Sequence, residues 1–179
     1  SSWGISRPYA DAYQWLNAHV EAEAVVGSMS EETNRDVLLL TRHTLFLPSG
    51  GTTLASNAEL LSRLYALAAL WEFSPARLHD FVREKTYYLF QSWYRPRTID
   101  SYFHTTELWP VPENAWEKHA DAFTAFMAHG VYTLYPLDYL LVGPREEAIA
   151  ATPAEFAAFP LVYNADGVRI YRFNYGNGI

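Results

Sequence analysis

Two short apolar runs, far apart in the chain, limit the possible folds more than any other feature. Residues 24–28 read AVVGS and residues 139–143 read YLLVG, each a brief apolar run that ends at a small residue. Continuous apolar runs of this length are typical of strands that are buried on both faces of a parallel sheet. The sequence therefore predicts a central sheet to which both ends of the chain contribute.

Helical patterns surround these two runs. Apolar residues recur at helical spacing in several segments, and serines and prolines mark where some of the helices begin. Four helices are predicted. The first covers residues 10–20, and the second starts at the capping-box pair Ser56 and Glu59. The third runs from Ser74 and Pro75 towards Trp93, and the fourth follows Pro112 and runs to Gly130.

Other segments are predicted to be strands, a loop and a hairpin. The apolar runs 36–41 and 44–47 fit strands, although the first fits a helical turn equally well. Residues 95–112 have the character of a loop rich in aromatic residues. Near the end, two strand-like runs flank Asp166 and Gly167, which favours a β-hairpin with a tight turn.

The order of these elements predicts a small α/β fold. Strand, helix and strand occur at both ends, with helices between them, which is typical of a layered, Rossmann-like sheet with flanking helices. A mostly helical, aromatic-rich insertion covers about residues 56–130, and a β-hairpin closes the chain. A length of 179 residues fits one domain, so residues 1–179 are taken as a single domain with that insertion.

Composition excludes several kinds of partner and chemistry. The formal net charge is −7, and no basic stripe offsets it, so no nucleic-acid partner is expected. The absence of cysteine excludes disulfides, thiolate metal sites and a cysteine nucleophile. No uninterrupted apolar stretch reaches the roughly 20 residues that cross a bilayer.

The first candidate site is the edge where the two central strands end. If residues 24–28 and 139–143 are parallel neighbours, the loops that follow them gather polar side chains in a crevice, where open α/β sheets favour ligand binding. Arginine and serine donors could hold a sugar or a phosphate there. The candidate ligand-binding residues are Glu31, Arg42, His43 and Arg145, together with Ser28, Ser30 and Gly143. The alternative explanation is ordinary loop polarity.

The second candidate site is the aromatic segment in the middle of the chain. Flat rings beside arginine suit stacking on a sugar, or a position at a membrane interface. Packing of the same rings under a long loop is the alternative. The residues concerned are Trp93, Tyr94, Arg97, Tyr102, His104 and Trp109.

No complete catalytic, metal or cofactor motif accompanies these sites. The six histidines are scattered and form no HxxxH or HxH pair, so no metal is expected. Gly27 alone does not make a dinucleotide-binding loop, and Ser49 does not lie in a nucleophile elbow. The adjacent acidic pairs at 31–32 and 146–147 are interpreted as solvated helix faces rather than acid/base pairs. No catalytic residue and no cofactor is therefore assigned.

Several segments at the two ends of the chain share a family resemblance. They read YQWLNAH, AVVGS, LLLTRHTLFLPSGG and SNAELLSRLYALAAL in the first part, and LDYLLVGPREEA and FPLVYNADGVRIYRFN in the last. Their order resembles the soluble C-terminal extracytoplasmic domain of multi-spanning bacterial membrane proteins related to polyprenyl-phosphate-sugar-dependent glycosyltransferases. The resemblance covers residues 13–59 and 137–173, and the aromatic middle has no counterpart in it.

The resemblance implies a location and partners, but no catalytic residue. The family's catalytic acid lies in external loops of the membrane bundle, which this chain lacks. It implies an accessory domain on the extracytoplasmic side, tethered through the transmembrane region of its parent protein and assisting the binding of an acceptor, a glycan, a lipid-linked sugar or a partner. A start without methionine fits a piece of a longer protein. The alternative is a free-standing transferase or hydrolase that uses Glu31, Arg42 and His43.

Overall fold

The chain is divided between two compact units. The computed structural model describes residues 4–49, 53, 55–85, 96–99, 106–108, 114–129 and 135–175. Ser1–Leu47 and Thr133–Ile179 form the first unit, and Pro48–Tyr132 forms the second. Both ends of the chain thus build one unit, and the middle builds the other.

The elements follow one another along the described chain in the following order. They are α1 (Arg7–His19), β1 (Val25–Gly27), α2 (Glu31–Leu40), β2 (Thr44–Leu45), α3 (Asn57–Leu70), α4 (Pro75–Glu84), β3 (Pro96–Ile99), β4 (Thr106–Leu108), α5 (Asn114–His129), β5 (Leu137–Val142), α6 (Pro144–Glu147), a 3-10 helix (Ala154–Ala158), β6 (Leu161–Ala165) and β7 (Val168–Tyr175).

A mixed five-stranded sheet organises the first unit, in the order β2-β1-β5-β7-β6. β2, β1 and β5 are parallel, and Val26 pairs with Tyr139 while Gly27 pairs with Leu140. β7 is antiparallel to β5, and β6 is antiparallel to β7. The predicted α/β class is confirmed, and so is the pairing of the two buried runs in one sheet.

Helix α1 and the sheet share one apolar core. Each turn of the helix places an aromatic or aliphatic residue towards the sheet, and these residues pack against mostly aliphatic side chains of the strands. The core comprises Tyr9, Ala12, Tyr13, Leu16, Val20, Val26, Val37, Leu45, Tyr139, Leu141, Val168 and Ile170. Burial on this scale fixes the position of α1 over the strands.

The C-terminal hairpin closes as predicted. Asp166 and Gly167 have φ angles of 48° and 80°, which is the left-handed pair that a two-residue hairpin turn requires. Val168 and Ile170 in β7 pack in one core with the apolar residues of α1.

The run at residues 36–41 is helical as far as Leu40, so of the two alternatives that the sequence left open the helical one is correct and the strand is not. It forms the second half of α2, whose N-cap Ser30 accepts a hydrogen bond from the Thr33 N–H. Glu31 and Glu32 in the first turn further favour a helix start here. The signal that decided the matter lies ahead of the apolar run, in the polar residues that cap it.

Caps in the second unit match the sequence expectations. Ser56 accepts a hydrogen bond from the Glu59 N–H at 3.2 Å, and Ser74 accepts one from the Arg77 N–H at 3.1 Å. Helix α4 ends at Glu84, earlier than predicted.

The stretch at residues 95–112 is not all loop. β3 and β4 pair there as an antiparallel two-stranded sheet. The expectation of a structureless segment is therefore wrong for these two short runs, which lack the alternation that marks longer strands.

No helix within the described ranges is both long and apolar enough to span a membrane.

Candidate functional site at the carboxyl edge of the sheet

The parallel pairing of β1 and β5 brings their carboxyl ends to the same edge of the sheet. Residues 28–30 lead from β1 into α2, and Gly143 leads from β5 into α6. Polar side chains from these connections and from α1 meet at this edge. We call it the carboxyl edge.

Glu146 is the centre of the carboxyl edge. Its side chain is fully buried, with 0% exposure. Oε1 accepts a hydrogen bond from Ser28 Oγ at 2.7 Å, while Oε2 accepts from Tyr9 Oη at 2.8 Å and from the Gly143 N–H at 2.9 Å. Because a buried carboxylate is stable only when donors surround it, these bonds hold α1, β1 and β5 to one group.

Gly143 leaves room for Tyr9. A Cβ atom at this position would lie 2.6 Å from the Tyr9 hydroxyl oxygen, closer than any normal contact. The same hydroxyl accepts a hydrogen bond from the Arg145 N–H at 3.0 Å. A glycine is therefore required where β5 ends, because a phenol occupies the space of its side chain.

Arg145 joins the outer part of the same edge. Its guanidinium carbon lies 4.1 Å from the centre of the Tyr9 ring. Its Nη1 donates to Asp36 Oδ2 at 2.9 Å, and its Nη2 pairs with Glu32 Oε1 at 2.7 Å. Burial opposes the charge of Arg145, but the bond to Asp36 and the neighbouring acidic groups outweigh it and raise its pKa.

The two tyrosines of α1 remain protonated donors. Burial raises the pKa of Tyr9 above its ordinary value of 10.0, and the charge of Glu146 raises it further. The pKa of Tyr13 is also raised, first by burial and then by the charge of Asp36. At neutral pH both phenols act as hydrogen-bond donors and acceptors, and neither can serve as a base.

Ser28 is held inside the same network. Its side chain is fully buried, and its Oγ accepts a hydrogen bond from the Ser30 N–H at 2.9 Å while donating to Glu146. The Asn34 amide donates to the Ser28 carbonyl at 3.1 Å. A hydroxyl that is closed off from solvent and shares its acceptor with Tyr9 is not placed to attack a substrate.

The structure separates four of the residues predicted for this crevice. Arg145 lies in the network, and Glu31 is the first residue of α2 beside it. Arg42 and His43 precede β2, which runs parallel to β1, so they lie at the opposite edge, which we call the amino edge. The expectation that all four gather in one crevice is therefore wrong for Arg42 and His43.

At the amino edge Arg42 makes local hydrogen bonds, and His43 is a buried side chain. Arg42 Nη2 donates to the Val20 carbonyl at 3.1 Å, and its backbone N–H donates to Asn17 Oδ1 at 3.2 Å. His43 is buried, and this burial lowers its pKa below the ordinary 6.5, although the backbone of Leu16 and of Glu21 partly offsets the effect. It is neutral at pH 7.

The second predicted site falls almost entirely outside the described residues. Trp93, Tyr94, Tyr102, His104 and Trp109 lie there. For Arg97, only the backbone is described, within β3. Binding by the aromatic segment stays a prediction.

The residues that form the network were mostly missed. Glu146 was interpreted as part of a solvated face, and it is wholly buried. A usable signal was present, because a buried strand ends at Gly143 and a glutamate follows three residues later, which is half of a capping-box pattern. Tyr9 and Tyr13 carry a weaker signal as an i, i+4 pair on α1. No local pattern points to Asp36.

The second unit has a buried polar pair of its own. Tyr65 Oη lies 3.1 Å from His119 Nδ1, beside Phe123 and Phe126. Burial lowers the pKa of His119 and raises that of Tyr65 to about 12. Both groups are therefore neutral at pH 7, which suits a satisfied core pair.

Neither unit offers a metal centre in the ranges that the structure describes, since no group of three histidine, aspartate or glutamate side chains there is placed to hold an ion. Comparison of the chain with family models, curated proteins and solved structures gives no match.

Proposed function

We propose that this chain is a non-catalytic extracytoplasmic accessory domain of a membrane protein in the glycosyltransferase-like class. It is tethered through the transmembrane region of the same parent protein, and it assists the binding of an acceptor, a glycan or a partner near the membrane. The resemblance at the two ends of the chain supports the setting. The geometry of the carboxyl edge supports the absence of catalysis.

The carrying observation is that the carboxyl edge is filled by the chain's own side chains. Open α/β sheets bind ligands in the crevice at this edge. Glu146 accepts hydrogen bonds there from three donors of the chain, and the side chain of Arg145 bonds to three acceptors of the chain, in Asp36, Glu32 and Tyr13. A ligand would have to displace these partners, so the edge stabilises the fold instead of receiving a substrate.

The charge at this edge also disfavours a phosphate. Arg145 pairs with the carboxylates of Glu32 and Asp36, Arg35 also lies 3.6 Å from Asp36, and the carboxylate of Glu146 belongs to the same network. An incoming anion would meet these negative groups at short range. Binding of a neutral glycan through the aromatic segment is therefore the better proposal than binding of a sugar phosphate here.

The alternative function, a free-standing transferase or hydrolase, loses its proposed residue set. It needs Glu31, Arg42 and His43 around one substrate. The position of Arg42 and His43 at the amino edge, away from Glu31, disfavours that arrangement.

A binding screen tests the proposal. The chain is applied to a glycan array and to immobilised polyprenyl-linked sugars, as wild type and as Trp93→Ala and Trp109→Ala. We expect wild-type binding that falls about tenfold or more in these variants, because the stacking of a sugar ring on the tryptophan side chain is lost. Trp15→Ala, which changes a tryptophan of α1 that stacks on His19, is the matched control and should retain binding.

Two outcomes would contradict the proposal. The first is turnover of chromogenic ester, phosphate or glycoside substrates that His43→Ala abolishes, which would support the enzyme. The second is an encoding gene without hydrophobic spans beside this segment, which would remove the membrane-bound parent.

A further inference from the structure

Helix α2 has an inverted distribution of polar and apolar residues. Thr33, Asn34 and Asp36 are buried, with exposures of 0%, 2% and 5%. Leu38, Leu39 and Leu40 are exposed, at 46%, 70% and 43%. A helix on a globular domain normally buries its apolar residues and exposes its polar ones. We call the three residues 38–40 the leucine ridge.

The polar network explains why the helix has this orientation. Asp36 faces Arg145, and the Asn34 amide donates to the Ser28 carbonyl. These contacts fix which side of α2 faces the sheet, and only Val37 adds an apolar contact with the core. Successive helical positions lie about 100° apart, so the leucines spread over roughly 200° and no single rotation would bury all three.

The ridge is a concentrated apolar surface. Among the described residues, the large hydrophobic side chains with high exposure are these three leucines and Leu161. Single exposed leucines need no explanation, whereas contiguous ones mark a site of interaction. Three consecutive exposed leucines at the end of one helix are therefore the surface from which a contact is best argued.

We propose that the leucine ridge inserts into the headgroup layer of an anionic lipid membrane. Arg35, whose side chain is 60% exposed and lies 3.6 Å from Asp36, precedes the ridge, and the exposed Arg42, whose Nη2 also donates to the Val20 carbonyl, follows it. Apolar side chains that enter the acyl boundary, with basic groups beside them at the phosphates, are the arrangement by which peripheral segments bind anionic bilayers. The basic flanks complement anionic headgroups despite the negative charge of the whole chain.

The size of the ridge favours lipid over a second copy of the chain. Stable protein interfaces bury about 800 Å² on each partner, and three partly exposed leucines supply at most a few hundred. A bilayer needs no shaped groove, so a short protruding turn is enough to enter it. The inference deepens the proposed function by naming the surface that meets the membrane, and it rests on that proposal for the membrane setting.

The absence of cysteine allows a site-specific test. Leu39→Cys is labelled with a polarity-sensitive fluorophore, and Leu161→Cys is the matched control, because Leu161 is 47% exposed on the edge strand β6. The probes are vesicles of phosphatidylcholine with phosphatidylglycerol. We expect a blue shift of emission at position 39 and none at position 161.

Unlabelled variants quantify the contribution of the ridge. Leu39→Ser should weaken sedimentation with these vesicles about tenfold, since moving one large apolar side chain back to water corresponds to a factor of that size. Leu161→Ser should change it less than twofold, and Arg35→Gln should weaken it about fivefold, as expected for one basic group near an anionic surface. Circular dichroism checks that each variant is folded.

The inference is overturned by an unchanged emission at position 39, by equal shifts at both positions, or by a concentration-dependent dimer that Leu39→Ser dissolves. If one of these three results is found and the gene encodes hydrophobic spans beside this segment, only the lipid contact of the leucine ridge is refuted, and the proposed function stands. Vesicle binding through Leu39 in a gene without such spans removes the proposed parent and keeps the lipid contact.

Discussion

The two edges of the first unit's sheet use polar residues in different ways. At the carboxyl edge, Glu146 and Arg145 join side chains from several elements in one buried network. At the amino edge, contacts are separate and mostly to the backbone, as where Asp138 accepts from the Val25 N–H at 2.8 Å and Arg42 donates to the Val20 carbonyl. At the edge that would hold a ligand in a related architecture, Glu146 and Arg145 are bonded to groups of the chain itself, while Thr33 Oγ1 and Asn34 Oδ1 nearby are buried without a hydrogen-bond partner.

This difference teaches where polar residues contribute to stability. A buried group with several partners cannot lose one without leaving the others unsatisfied, whereas an exposed group is compensated by water. Substitutions at the carboxyl edge should therefore be much more costly than similar ones elsewhere on the same unit.

Glu146→Ala should have the largest effect. It removes the acceptor of three hydrogen bonds and should lower the free energy of unfolding by about 3–5 kcal/mol, as expected for breaking a buried charged network. Urea denaturation measures it. Glu147→Ala is the neighbouring control, since Glu147 is exposed and pairs with Arg169, and it should cost less than about 1 kcal/mol. Equal losses in the two variants would show that the network carries no special weight.

Arg145→Met should have the next largest effect. It leaves the buried carboxylate of Asp36 with only the more distant Arg35, at 3.6 Å, and removes the contact with the Tyr9 ring, for a loss of about 2–3 kcal/mol. Arg42→Met at the amino edge should cost less than about 1 kcal/mol, because the Val20 carbonyl can bond to water instead. Thermal and urea unfolding of both variants measure these losses. A larger loss in Arg42→Met than in Arg145→Met would contradict the difference between the two edges.

The pH dependence should reflect two buried histidines. Burial lowers the pKa of His43 and that of His119 below 6.5, so the unfolded chain binds more protons than the folded one once the pH falls below about 6.5. Stability should therefore decrease on acidification from pH 7 towards 5. His43→Gln should reduce this slope without abolishing it, since His119 remains. An unchanged slope in urea titrations across this range would place His43 in solvent.

Leu39→Ser should have almost no effect on stability. Leu39 is 70% exposed, so its free energy of unfolding should change by no more than about 0.5 kcal/mol. Val37→Ala, two residues earlier and fully buried, should cost about 1–2 kcal/mol. A large loss in Leu39→Ser would mean that the outer face of α2 is packed, and it would remove the leucine ridge.

The sequence predicted the sheet well because its signals are local or periodic. The run at 139–143, the capped helix start at Ser56 and the turn at Asp166 and Gly167 each carry a short pattern with one physical meaning. Helix α2 shows the limit of such patterns. Its apolar half alone fitted a strand and a helical turn equally well, and the cap at Ser30 distinguishes the two.

The site was predictable only in part, because it depends on long-range partners. Arg145 was identified from its place after a central strand. Burial of Glu146 depends on Tyr9, 137 positions away, and no pattern within either segment announces that contact. Arg42 and His43 were assigned to the wrong edge because the direction of β2 in the sheet decides at which edge the residues before it lie. The sequence of so short a strand does not show this direction.

A double-mutant cycle between Ser28 and Glu146 tests the central claim most directly. The claim is that Glu146 and its partners form one coupled network at the carboxyl edge, in which Ser28 Oγ donates to Glu146 at 2.7 Å. Urea unfolding of Ser28→Ala, Glu146→Gln and the double variant should give a coupling energy of about 1–2 kcal/mol, as for contacting buried groups. Additive effects would mean that the two side chains act independently, and the carboxyl edge would again be open to a ligand.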